Sequence, residues 1–285
     1  MIKLSIVIPV YNEQQSISST MEQIKEAISK INVASEIIVV DDYSKDRTNE
    51  ILNEIEGIKV IRHKENKGYS AALKTGIKNS QGEWIGITDA DGTYPIEDFS
   101  RLWEYTKEYD MVVGARTGKH VAIPFVRKPA KWFINKVANY IAGKRIPDLN
   151  SGLRIFKKEV ALRFWSLYPE GFSFTSTITL ACMTNGIDVK YIPINYYKRE
   201  GKSLMKPKHF IMFCNLLIRI TTYFRPLKIF IPIALIFLAL GITKGAIDFM
   251  RDGQLGLLAV MVIIAAIQIG FMGLIAELII KRTNL

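Results

Sequence analysis

Trp84-Ile85-Gly86-Ile87-Thr88-Asp89-Ala90-Asp91-Gly92-Thr93-Tyr94-Pro95 sets how the rest of the chain reads. An apolar run with the look of a buried strand stops at two carboxylates one residue apart, then meets a glycine and a proline. If the chain turns there, acids at i and i+2 converge on one hard cation, and Gly92 supplies the freedom to turn. Asp and Gly are also ordinary turn residues, so the pattern alone equally describes a polar turn. A second pair, Asp41-Asp42, tips the balance, because it closes another apolar run, Ile37-Ile38-Val39-Val40. Ligands of open α/β sheets bind outside the carboxyl ends of the strands. Four acids at two such ends therefore mark a site for a metal and a polar ligand.

Outward from these two runs, the first half alternates strands and helices. Lys3 to Pro9 reads as a central strand that ends in Val10-Tyr11-Asn12-Glu13, and Ile17, Met21, Ile24, Ile28 and Ile31 then recur at helical spacing. A short helix from Ser44 to about Glu56, a strand from Ile58 to Ile61 and a helix from Gly68 to Asn79 follow. Pro95 suits the first turn of a helix carrying Ile96, Phe99, Leu102 and Tyr105 on one face. Asp110 to Gly114 is a further strand, and Val189 to Tyr197 a late, long one. This order predicts an α/β fold with a parallel, doubly wound sheet and right-handed crossovers.

The 285 residues suffice for one sizeable domain and something more. A formal net charge of +11 admits a nucleic acid, an anionic membrane surface or a phosphorylated substrate as partner. Cys182 and Cys214 stand in apolar helical contexts without metal-binding spacing and read as buried free thiols, compatible with a reducing compartment. The apolar run Leu4 to Val10 is short, is broken by Pro9 and precedes no small-residue cleavage site, so it does not read as a signal peptide.

Several motifs now add up to a family. Ile8-Pro9-Val10-Tyr11-Asn12-Glu13, Val39-Val40-Asp41-Asp42 with Ser44, Asn66-Lys67-Gly68 and Asp89-Ala90-Asp91 resemble glycosyltransferase family 2 with its GT-A fold, a Rossmann-like, mostly parallel sheet. Asp148-Leu149-Asn150-Ser151-Gly152-Leu153-Arg154-Ile155-Phe156 and Arg199-Glu200-Gly201-Lys202-Ser203 resemble its polyprenyl-phosphate branch, which includes dolichol-phosphate mannose synthase and undecaprenyl-phosphate glucosyltransferases. Where many relatives place acids after a Gly–aromatic pair, this chain has Gly171-Phe172-Ser173-Phe174-Thr175-Ser176-Thr177, and it has no Gln-x-x-Arg-Trp of a processive synthase.

The resemblance implies that Pro9, Tyr11, Glu13 and Asp41 hold the base and ribose of a nucleotide sugar, with Asp42, Ala90 and Arg199 at the same site. It also implies that Asp89 and Asp91 hold Mg²⁺ or Mn²⁺ against the diphosphate, where the ion neutralises charge growing on the leaving group. Asp42 otherwise caps its turn, and Glu13 otherwise serves as a helix-start acid. Asp148 is expected to orient an arginine or the acceptor, and Arg154 to pair with an acid or support its loop.

From Arg116 to Pro147 the chain carries eight cations and no acid. Arg116 follows a strand end and so belongs to the rim of Asp91. Arg127, Lys128 and Lys131 are interleaved with Pro124, Phe125, Trp132 and Phe133, a mixture that suits a lipid interface or single-stranded nucleic acid. The C-terminal third separates these. Residues 206–226 read as an interfacial amphipathic helix, and 229–247 and 255–276 as two spans of the length a bilayer requires. Arg219, Arg225 and Lys228 before the hairpin and Lys281 and Arg282 after it place the catalytic domain and C-terminus in the cytoplasm. The expected organisation is a GT-A domain over 1–205, the interfacial helix, and a transmembrane hairpin over 227–285. Gly241, Gly245, Ala265, Ala266, Gly270 and Gly273 leave room for close helix packing, self-association included.

Together these features predict a membrane-anchored, inverting glycosyltransferase that moves a sugar from a nucleotide donor to a polyprenyl phosphate. Arg116, Arg127, Lys131, Arg199, Lys202 and Ser203 are the expected pocket for the acceptor phosphate, and Asp89, Asp91 and Arg116 the catalytic set. The acceptor phosphate is already ionised near neutral pH, so no histidine base is required. A transferase with another lipid acceptor and a non-catalytic membrane scaffold are the alternatives. Nucleic acid is not an expected partner, because the cations flank membrane segments.

Overall fold

In the computed structural model of the chain, residues 2–120, 128–169, 171, 173–197, 218 and 221–283 are described. The chain divides into two compact units, 1–213 and 214–285. In the first unit, β1 (Leu4–Val10), β2 (Ser35–Asp41), β3 (Lys59–Arg62), β4 (Trp84–Ile87), β5 (Met111–Ala115), β6 (Arg154–Lys157) and β7 (Val189–Pro193) form one sheet in the order β3-β2-β1-β4-β6-β5-β7. Every residue of β1 is buried, as a strand covered on both faces must be.

Helices α1 (Ile17–Ile31), α2 (Thr48–Glu54), α3 (Tyr69–Lys78), α4 (Asp98–Glu104), α5 (Lys128–Ala142), α6 (Lys158–Arg163) and α7 (Phe174–Thr184) complete the unit. Side chains of a strand alternate between faces, and β2 divides its own accordingly. Ile37 and Val39 join the core made with Ile17, Met21 and Ile24 of α1 and Phe99 and Leu102 of α4. Ile38 and Val40 join Ala72 of α3 in a separate cluster.

The parallel pairings β1–β2, β1–β4 and β2–β3 carry out the expectation from the sequence. Their register sets Val10 opposite Asp41 and Val7 opposite Ile87, so three strands release their loops at one edge. The sheet is mostly parallel, as the resemblance implies, and the exception is β6, which runs antiparallel to both β4 and β5. A chain that returns at the edge it left needs no crossover, and antiparallel pairing results. The last strand is also shorter than the stretch from Val189 to Tyr197: it ends at Pro193, a residue tolerated on this edge strand.

Among its described residues the second unit has two helices long and apolar enough to cross a membrane, α8 (Leu227–Asp252) and α9 (Leu257–Thr283). Both outlast the spans read from the sequence. Residues 248–252 continue α8, where Lys244 pairs with Asp248 one turn on, and Gly253 then ends the helix in the left-handed conformation. Leu235, Ile236, Leu240, Phe271 and Leu274 stay exposed along the pair, a surface suited to lipid. The inner seam is made of small residues: a Cβ on Gly241 would lie 2.7 Å from Ile263 Cγ1, and one on Gly273 2.6 Å from Phe230 Cβ. These glycines are used within the hairpin. The expected interfacial helix over 206–226 lies outside the described residues apart from 218 and 221–226.

Candidate active site

The loops after β1 and β2 are laced together by side chains that serve backbone groups. Asn12 N–H donates to Ser44 Oγ at 3.0 Å, Lys45 N–H to Asn12 Oδ1 at 2.8 Å, and Glu13 N–H to Thr48 Oγ1 at 2.9 Å. Asn12 and Tyr43 both take positive φ, the local strain at which these bonds hold the turn. Pro9, Tyr11 and Glu13 thus stand on a fixed rim, with Tyr11 and Glu13 half-buried.

The first acidic pair is built into that rim. Asp41 is fully buried; its Oδ1 accepts from Ser44 N–H at 2.9 Å and its Oδ2 lies 3.2 Å from Arg62 Nε. Asp42 accepts from Lys67 N–H at 2.8 Å and Gly68 N–H at 2.7 Å, and its Oδ1 is 2.7 Å from His63 Nδ1. Asp42 therefore ties the end of β2 to the start of α3, where it organises a loop.

The second pair, Asp89 and Asp91, follows β4. The intervening Ala90 is buried and its carbonyl accepts from Ser16 Oγ at 2.7 Å, which anchors the run to α1. Asp91 Oδ1 accepts from Thr93 Oγ1 at 2.6 Å and Thr93 N–H at 3.2 Å, and Gly92 turns the chain at φ +69°. Tyr69, the first residue of α3, donates its phenol to the Asp89 carboxylate; burial first, then that charge, pushes the phenol well above its ordinary pKa. Among the described residues no group of three or more His, Cys, Asp or Glu is gathered. Two carboxylates alone leave most positions of a hard cation to ligand oxygens and water, the donor set that suits Mg²⁺ or Mn²⁺ on a diphosphate.

Arg116, which leaves the end of β5, meets Asp148 in a fork: Nε to Oδ2 at 2.7 Å, Nη2 to Oδ1 at 2.9 Å, with the Arg116 N–H also on Oδ2 at 3.0 Å. Its guanidinium lies 5.1 Å from the Tyr196 ring, and Tyr196 packs edge-on against Tyr94. Burial works against the cation, but Tyr94 and Asp148 outweigh it and the Arg116 pKa stands well above its usual value. Asp148 thus orients an arginine, as expected. Arg154 supports its loop: fully buried, it donates to the carbonyls of Ser151 and Thr175 and to Thr179 Oγ1.

The structure brings together at one edge Pro9, Tyr11, Glu13, Asp41, Asp42, Asp89, Ala90 and Asp91. Lys131 lies in α5 with its side chain outside the described residues, as do Arg127, Arg199, Lys202 and Ser203 altogether. Cys182 is a buried free thiol pushed up to about 12 by burial, and Cys214 lies outside the described residues. Sequence reasoning passed over Tyr69, Tyr94 and Tyr196. Only Tyr94 carried a signal, standing three residues past Asp91 in a run too polar to need an aromatic for its core.

The glycosyl transferase family 2 pattern matches residues 5–165, and that of the GtrB C-terminal hairpin residues 225–281. A dolichol-phosphate mannosyltransferase of Pyrococcus furiosus is 32% identical over 72% of this chain and 60% of its own length. An undecaprenyl-phosphate 4-deoxy-4-formamido-L-arabinose transferase of Pectobacterium atrosepticum is 28% identical over 97% of this chain and 88% of its own. The chain spans from 49% to 90% of the length of these and similar curated relatives. Glucosyl-3-phosphoglycerate synthase of Mycobacterium tuberculosis, crystallised with Mn²⁺, UDP and glucosyl-3-phosphoglycerate, shares the fold at a TM-score of 0.61, with 16% identity over 76% of this chain and 79% of that one. With its GT-A sheet, its acid pair and a family match over more than half its residues, the chain belongs to glycosyltransferase family 2.

Proposed function

We propose that the protein is a membrane-anchored, inverting glycosyltransferase that transfers a hexose from a nucleotide sugar to a polyprenyl phosphate. The observation that carries this reading is Asp89-x-Asp91 beside the laced nucleotide rim, in a chain that also carries an apolar hairpin. Pro9, Tyr11 and Glu13 line the base and ribose, while Asp41 and Asp42 give their loop its shape. Asp89 and Asp91 hold Mg²⁺ or Mn²⁺, which when bound neutralises charge on the departing diphosphate.

An oxygen of the acceptor phosphate attacks the anomeric carbon as the bond from that carbon to the diphosphate oxygen breaks. The electron pair leaves with the nucleoside diphosphate, and the centre inverts. Asp148 is clamped in its fork with Arg116 and is not needed as a base, since the nucleophile arrives ionised. Positioning and charge supply the catalysis. Arg116 spends Nε and Nη2 on Asp148, so Nη1 is its contact for an acceptor phosphate oxygen. Arg127, Lys131, Arg199, Lys202 and Ser203 are assigned to the same acceptor phosphate on the sequence motif and the acid-free run alone. The cations flanking the hairpin support a catalytic unit and C-terminus in the cytoplasm, on the side of the nucleotide sugar.

Purified full-length protein incubated with labelled UDP- and GDP-sugars and polyprenyl phosphate tests the reading. Labelled lipid that forms only with a divalent cation is expected. Lipid that forms undiminished under excess chelator, or no transfer from any donor, overturns it.

A further inference from the structure

The loop Asp148–Gly152 touches both ends of the proposed chemistry. Asp148 clamps Arg116 at its start, and at its other end Gly152 lies against the Asp89 carboxylate. A Cβ built on Gly152 would stand 2.8 Å from Asp89 Oδ2 and 3.0 Å from both Cγ and Oδ1. No real Cβ comes that close to three atoms of a carboxylate. The carboxylate rests on bare backbone.

The loop has little room to retreat. Gly152 N–H donates to Tyr94 Oη at 2.7 Å, Ser151 Oγ donates to the Gly114 carbonyl at 2.5 Å, and the Ser151 carbonyl accepts from Arg154 Nε at 3.0 Å. Tyr94 and Ser151 are both buried, so water does not readily replace these bonds. Gly152 does not adopt a left-handed φ, and alanine can take its backbone conformation. What alanine adds is a methyl group in the place the carboxylate occupies.

We infer that Gly152 is a positioning residue for Asp89: its missing side chain sets where the carboxylate lies, with the Tyr94 hydroxyl as the strut that holds Gly152 there. This rests on the reading that Asp89 and Asp91 hold a divalent cation. Groups that orient metal ligands typically alter metal affinity by about 10- to 100-fold when changed.

Detergent-purified full-length protein is titrated with Mn²⁺ in the presence of UDP and, separately, GDP, with free Mn²⁺ followed by electron paramagnetic resonance. Wild type binds Mn²⁺ with one of the nucleotides. Gly152→Ala binds it at least about 10-fold more weakly with the metal-free melting midpoint unchanged. The Mn²⁺ needed for half-maximal transfer rises in step. Tyr94→Phe, which removes only the strut, shifts Mn²⁺ affinity in the same direction by a smaller factor and carries the test if Gly152→Ala does not fold. Gly152→Ala or Tyr94→Phe protein that binds Mn²⁺ as wild type does overturns the inference and leaves the metal reading standing. Wild type that binds no Mn²⁺ with either nucleotide overturns both.

Discussion

Two pairs of aspartates close two neighbouring parallel strands, and the fold uses them in opposite ways. At the end of β2, Asp41 and Asp42 are enclosed, and their oxygens serve Ser44, Arg62, His63, Lys67 and Gly68. At the end of β4, Thr93 holds one oxygen of Asp91 and the half-buried Asp89 leans on a bare glycine. Consecutive carboxylates point to opposite faces of the chain, so both members of the first pair are drawn into loop building. The second pair stands beyond β4 in a turn that Gly92 makes at φ +69°. The first pair shapes its loop, and in the proposed function the second presents ligand atoms.

The comparison breaks most sharply on activity. Asp91→Asn keeps size and loses charge, and transfer is expected to fall by about 100- to 1,000-fold, the scale of losing a preorganised electrostatic group. Asp89→Asn does nearly the same. Both variants are expected to melt close to wild type by circular dichroism. An Asp91→Asn enzyme at full rate would place the metal reading in error.

Arg116 and Asp148 come next. Lysine cannot reproduce the two-pronged contact, so Arg116→Lys should cost about 10-fold or more in kcat/KM. Asp148→Asn leaves a buried guanidinium half-matched and should cost a similar factor. The double variant measures the fork: losses well short of multiplicative show one coupled unit, and losses that multiply show two independent residues.

Stability is where the first pair should answer. Asp42→Ala removes the acceptor of the half-exposed Lys67 and Gly68 N–H groups, at a cost of about 1–3 kcal/mol. Denaturant or thermal melts of the detergent-solubilised protein read this directly. Residual transfer per folded molecule should stay within about 10-fold of wild type. A stable Asp42→Ala protein without activity would move Asp42 to the ligand side of the comparison.

The sequence showed the strand ends and left open which acids were spent inside. Apolar runs, helical spacing and the order of motifs revealed β1 to β5, α1, α3 and the hairpin, because each is a local pattern with its own period. β6 was hidden: four residues that pair with two distant strands look like the tail of a motif. Tyr69 and Tyr196 were hidden for the same reason, since their partners Asp89 and Arg116 are remote in sequence. For Arg154 the sequence left open an acid partner or loop support, because carbonyl acceptors such as those of Ser151 and Thr175 carry no sequence signature.

The smallest effect lies in the hairpin, where one residue type again does two jobs. Gly241 and Gly270 both looked like room for close packing. A methyl group on Gly241 would press on Ile263 at 2.7 Å, including a contact 3.1 Å from its backbone nitrogen, which cannot swing aside. One on Gly270 would reach Ala234 Cβ at 3.9 Å, ordinary contact. Gly241→Ala should therefore destabilise the hairpin by about 1–3 kcal/mol, the usual cost of overpacking. Gly270→Ala should be neutral or gain up to about 1 kcal/mol from helix propensity. Thermal melts in a mild detergent measure both. Equal losses at the two positions would mean that Gly270 meets another partner in the membrane, a second copy of the chain being the first to test.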